Sequence, residues 1–83
     1  SLEGKAYNCY VGIQVQNRSN IKIFDVRITQ FYHAGIELTA DYGLVNQNIE
    51  IYNFDIRESA RESGAGSFGN ITSRGKIVNL QVH

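Results

Sequence analysis

A hexad recurs three times in this chain, and it restricts the possible fold more than any other feature. The copies are Ile23-Phe24-Asp25-Val26-Arg27-Ile28, Ile51-Tyr52-Asn53-Phe54-Asp55-Ile56 and Ile77-Val78-Asn79-Leu80-Gln81-Val82. They align without gaps at offsets of 28 and 26 residues. Each runs aliphatic, spacer, Asp or Asn, apolar, polar, β-branched. A second pair, Gly12-Ile13-Gln14-Val15 and Gly35-Ile36-Glu37-Leu38, aligns at an offset of 23. Apolar residues spaced by two are strand chemistry, because successive side chains on a pleated strand face opposite sides. Strands this short bury little alone, but stacked copies form one continuous core. The spacing therefore predicts three short strands per repeat: 35–38, 49–51 and 54–56 in the clearest unit. A single residue (Asp25, Asn53 or Asn79) forms the corner between the second and third strands. Asn and Asp tolerate the left-handed backbone that such a corner needs. Asparagines stacked inward would form an amide ladder, and Asp25, which only accepts, would cap it or bond backbone N–H groups.

The Ile-x-Ile-x-Asn-x-x-Ile spacing and the Gly-Ile start of the first strand resemble the right-handed parallel β-helix of pectate lyases, polygalacturonases and phage tailspikes. The resemblance covers residues 12–83. It implies an all-β solenoid of about three rungs. Its first sheet would hold Gly12–Val15 and Gly35–Leu38, and its second Ile21–Ile23, Ile49–Ile51 and Gly75–Ile77. Its third would hold Val26–Ile28, Phe54–Ile56 and Leu80–Val82. Short strands with Gly and Asn turns also fit an antiparallel sandwich or meander. Residues 1–11 read as a partial rung or cap. Nothing after Val82-His83 reads as a polar cap, so the expectation is a piece of a larger solenoid, whose partner is the rest of a parent β-helix or stacked copies of itself.

Composition sets the outer limits. With 83 residues the chain holds at most one domain. Its formal net charge of 0 gives no overall attraction to nucleic acid or an anionic membrane. The single Cys9 excludes a disulfide framework and reads as a small core residue. No apolar run reaches the ~20 residues of a membrane span, and the first five residues lack a signal-peptide core. Proline is absent, so Gly and Asn must build the turns. His33 and His83 are too few for a metal site, and no cofactor is expected.

Chemistry is expected on the outer face of the first sheet and its flanking loops. Gln14 and Glu37 point outward there, with His33 before the strand and Asp41 and Tyr42 after it. The resemblance implies a saccharide groove on this face and a secreted, extracellular or virion-surface setting. Glu37 and Asp41 would be the general acid and base of glycoside hydrolysis, with His33 as proton carrier. Tyr42 would stack on a sugar ring, and Gln14 and Arg57 would hold substrate. The chain departs from the family's enzymes in several ways. The clustered aspartates and Gly-His-Gly of polygalacturonases are absent, with only His33-Ala34-Gly35 nearby. The acidic calcium ligands of pectate lyases are also absent, although Arg27 and Arg57 supply basic groups. The competing expectation is a structural or adhesive β-helix segment, as in a tailspike or surface fibre. Ice binding is disfavoured because Thr29, Thr39 and Thr72 do not repeat in register. The alternating charges of 57–62 suggest a helical turn or a solvated loop. Gly64-Ala65-Gly66-Ser67-Phe68-Gly69 lacks the Lys-Ser/Thr of a phosphate loop. Asn17-Arg18-Ser19 and Asn70-Ile71-Thr72 are glycosylation sequons of the kind that arise by chance.

Overall fold

The structure, a computed structural model, describes residues 1–59 and 71–83. Those residues form seven strands: β1 (Leu2–Glu3), β2 (Val11–Gln16), β3 (Ile21–Thr29), β4 (Ala34–Thr39), β5 (Val45–Arg57), β6 (Ile71–Arg74) and β7 (Lys76–Val82). The chain alternates between two sheets, ordered β1-β3-β5-β7 and β2-β4-β6. Every strand pairing is parallel. The fold is therefore all-β, with parallel strands in two sheets and no antiparallel pairing among the described residues. Each consecutive pair of strands forms a tier: β2 with β3, β4 with β5, and β6 with β7.

Alternation places the apolar positions between the sheets. Ile28, Ile36, Leu38 and Ile51 are fully buried, and Val15, Ile23, Phe31 and Ile49 complete the core. Burying each such side chain stabilises the fold by about 1.5–3 kcal/mol. Gly12 sits where a Cβ would lie 2.6 Å from the Gly35 carbonyl oxygen, so the Gly-Ile start reflects close approach of two strands.

The bends are made as the residue types suggested. Asp25 (φ 54°) and Asn53 (φ 49°) are left-handed, and Asn53 Nδ2 donates to Asp25 Oδ1. The bend skips one ladder position without ending the strand. Pairing resumes at Val26↔Phe54, so the expected second and third strands form one sheet.

A second set of bends precedes each of these segments. Asn20 (φ 61°), Asn48 (φ 59°) and Asn79 (φ 57°) are also left-handed. Asn79 Nδ2 donates to Asn48 Oδ1 at 2.8 Å, and Asn48 Nδ2 to Asn20 Oδ1 at 3.0 Å, so the amide ladder lies on the exposed side of the bend and not inward as expected.

The third repeat differs from the sequence expectation. β3 and β5 pair at the expected offset of 28 (Ile23↔Ile51), but β5 and β7 pair at 31 (Ile51↔Val82) rather than 26. Asn79 thus continues the Asn20/Asn48 ladder and does not join Asp25 and Asn53. The cause is β6, which pairs with β4 where the sequence suggested irregular chain. Only Gly75 then separates β6 from β7, at φ 87°, and a Cβ there would collide with the Ala40 carbonyl. The expected second-sheet strand 75–77 is therefore this corner and the start of β7.

A buried amide ties the corners of the first two tiers. Asn46 is fully buried. Its Oδ1 accepts from Arg18 N (2.9 Å), and its Nδ2 donates to Thr39 O (3.0 Å) and Val15 O (3.3 Å). One side chain thereby bonds backbone groups of three residues, in addition to the bond that Asn17 N makes to Thr39 O.

Candidate functional site

The outer face of β2-β4-β6 gathers the first group of candidate residues. Gln14 and Glu37 are register partners, and Gln14 Nε2 donates to Glu37 Oε1 at 3.1 Å. The other Glu37 oxygen lies 2.6 Å from His33 Nε2. The Tyr10 ring stacks on the His33 imidazole at 4.6 Å and an interplanar angle of 2°. The backbone fixes this stack, since His33 N donates to Tyr10 O at 2.9 Å. Tyr10, His33 and Glu37 line a depression of about 370 Å³ with Thr72, Ser73 and Arg74 of β6.

Asp41 belongs to another neighbourhood. Its carboxylate accepts from Asn17 Nδ2 (2.9 Å) and Gln16 Nε2 (3.3 Å), and its N–H donates to Asn17 Oδ1 (2.8 Å). The Asn17 and Gln16 hydrogen bonds, with a smaller contribution from Arg74, hold its carboxyl below the usual carboxylate range. An ionised, fully exposed carboxylate of this kind is a poor proton donor. Asp41 lines a separate depression with Tyr42 and Lys76, so the two carboxylates do not share one site. Tyr42 is fully exposed at the tip of that loop. Arg57 stands at the end of β5, in the other sheet, paired with Asp55 at 2.8 Å.

The remaining motifs resolve in part. The Asn17 amide uses both its oxygen and its nitrogen on Asp41, so that sequon serves as a bracket between loops. Cys9 is a half-buried free thiol against the core. Arg57 closes a strand and Glu58 is left-handed (φ 53°), so no helical turn starts there. The rest of that charged run, the glycine-rich 64–69 and Asn70 lie outside the described residues. Among the described residues, no group of three His, Cys, Asp or Glu could hold a metal ion, and no helix is long and apolar enough to cross a membrane.

Tyr10 and Arg74 were not singled out in the sequence. Tyr10 was within reach: Tyr10-Val11-Gly12-Ile13 and His33-Ala34-Gly35-Ile36 extend the 23-residue repeat backwards. Arg74 was not, because β6 follows β4 at an offset of 35 and carries no copy of the Gly-Ile motif.

The other sheet carries a shallower feature. Asn20, Lys22, Asn48, Glu50, Asn79 and Gln81 border a cleft of about 240 Å³ along its outer bend. Beside it Phe24 stacks on Tyr52 at 5.1 Å and Tyr52 on His83 at 5.7 Å. Phe24 is 48% exposed and the His83 side chain 62%, so the stack is a surface feature of this sheet.

Comparison of the chain with protein-family models, curated proteins and solved structures gave no match.

Proposed function

We propose that the chain is a segment of a right-handed parallel β-helix that binds a polysaccharide along the outer face of β2-β4-β6. The alternation between two parallel sheets supports the coil, and parallel crossovers are right-handed in about 98% of cases. The observation that carries the binding reading is the convergence on one depression of Tyr10, stacked on His33, with Glu37 and Arg74. Planar polar groups beside an exposed aromatic ring suit hydroxyl pairs and the apolar face of a sugar. Binding is favoured over cleavage because glycosidases typically set two carboxylates across the scissile bond. Among the described residues of this depression, Glu37 is the only carboxylate. In this reading Gln14, His33 and Glu37 hold ligand hydroxyls, and an extracellular or virion-surface setting supplies the polysaccharide.

A glycan array tests the reading. Binding to an extended polysaccharide is expected, with at least a tenfold loss in Glu37→Gln and in Tyr10→Ala. Full binding by both variants would sink it. Release of reducing ends, abolished in Glu37→Gln, would show hydrolysis instead. The structural or adhesive reading rests on a different observation: Gln14, Gln16, Asn17, Asn20, Asp25 and Gln30 all spend side-chain atoms on the next tier. A clean array would favour it.

A further inference from the structure

We propose that Thr72 decides which polysaccharide the depression accepts, its hydroxyl and the Arg74 guanidinium together taking a pair of adjacent free hydroxyls on one neutral sugar unit. The inference rests on the binding reading above and names the chemistry of its ligand. Polar capacity near Glu37 is already committed. One oxygen of its carboxylate accepts from Gln14 Nε2, and the other faces His33 Nε2. Two groups of β6 on the same depression differ. Thr72 Oγ1 is sealed from solvent and has no hydrogen-bond partner. The Arg74 guanidinium makes no hydrogen bond or ion pair among the described residues. Buried polar atoms are nearly always paired in folded proteins, so an unpaired one calls for a partner from outside the chain. Among the described residues just two buried side-chain atoms are in this state, Thr72 Oγ1 and Thr39 Oγ1. Thr72 is the register partner of Glu37 and Thr39 that of Arg74, which places both on outer rows of one sheet. Thr39 is 1% exposed and does not border the depression, whereas Thr72 does.

The sealed hydroxyl can reach a ligand because threonine is branched at Cβ. A turn of χ1 from one staggered well to another exchanges its substituents and carries the oxygen towards the depression. The chemistry of the two groups then selects the ligand. A threonine hydroxyl donates and accepts, as a sugar hydroxyl does. A guanidinium only donates, through a planar fork of N–H groups that fits two neighbouring oxygens. Thr72 and Arg74 are two positions apart on β6, so alternation puts both on its outer side, about 6–7 Å apart along the strand. A pair of adjacent hydroxyls offers two oxygens to the fork and one partner of either sense to Thr72. The Glu37 carboxylate in the same depression opposes a sugar that carries its own carboxylate or sulfate. The accepted unit is therefore neutral, and a unit without the hydroxyl pair leaves buried polar groups unpaired and is rejected.

Titration calorimetry with soluble glucan, galactan and mannan tests this, each polymer used intact and after periodate oxidation, which cleaves adjacent hydroxyl pairs, with polygalacturonate as the acidic comparison. The parent chain should bind at least one intact neutral polymer, and oxidation of that polymer should weaken binding roughly tenfold or more. Thr72→Val, which keeps the shape and removes the hydroxyl, should lose a similar factor. Thr72→Ser should stay within about threefold of the parent, and Thr39→Val should bind as the parent does. Urea unfolding separates binding from folding. Thr72→Val removes an unpaired buried oxygen, so its midpoint should equal or exceed the parent's, and a lower midpoint would show that the hydroxyl serves the fold and overturn the assignment. If the parent binds and Thr72→Val binds equally, Thr72 is overturned and the binding reading stands. Binding that survives periodate, or polygalacturonate held as tightly as the neutral polymers, overturns the neutral hydroxyl pair. A parent chain that binds none of the polymers removes the binding reading and this inference together.

Discussion

Ile51 and Val82 are register partners in adjacent strands, yet Ile51 is fully buried and Val82 is 44% exposed. Ile49 and Leu80 differ in the same way, at 1% and 37%. The residue types are nearly equivalent, and so are their places on the pleat. What differs is the number of tiers covering them. The middle tier has a neighbour on each side, while the third is covered on one side among the described residues. In this architecture, then, a side chain's contribution to stability depends on its tier as much as on its identity.

The comparison breaks most sharply by truncation. Ile51→Ala should cost about 2–5 kcal/mol, because its cavity is enclosed, and Val82→Ala should cost under ~1 kcal/mol. Urea denaturation measures both, and equal losses would mean that position within the stack does not set the energetics. A smaller contrast is expected at the corners. Asn46→Ala removes three hydrogen bonds from a fully buried position and should cost about 1–3 kcal/mol. Its mate in the third tier, Ile77, makes no such bonds, so Ile77→Ala should cost less. The smallest effect is electrostatic. Hydrogen bonds from Asn17 and Gln16 lower the Asp41 pKa in the folded chain. Its stabilising contribution is therefore present above the unfolded pKa and lost as pH falls through the lower folded value. Carboxyl NMR titration should place the Asp41 midpoint below the ordinary carboxylate value, and Asn17→Ala should return it towards that value. An unmoved midpoint would remove the bracket from the account.

The strand chemistry, the 23-residue pairing of β2 with β4 and the 28-residue pairing of β3 with β5 were all legible in the residues. The third tier was not, for a specific reason. Asn followed by apolar, polar, apolar occurs after both bends of the second tier, as Asn48-Ile49-Glu50-Ile51 and Asn53-Phe54-Asp55-Ile56. Asn79-Leu80-Gln81-Val82 matches either frame. The choice was made by β6, whose four residues carry little pattern of their own. The site was legible to the extent that alternation governs it. Gln14 and Glu37 face outward together because β2 and β4 pair in register. Asp41 was grouped with Glu37 because the two are close in sequence, but the turn after Thr39 carries it to Asn17.

The corners have a consequence for engineering and divergence. Successive mates lie 23 and then 35 residues apart in one sheet, and 28 and then 31 in the other. The ladders stay in step while the chain between them changes length, so the corners can absorb inserted peptide that the strands cannot. The five-residue turn between β4 and β5 and the single Gly75 between β6 and β7 are equivalent corners of different length. Epitopes or binding loops grafted at the wider corner would be displayed on a frame that does not register their presence.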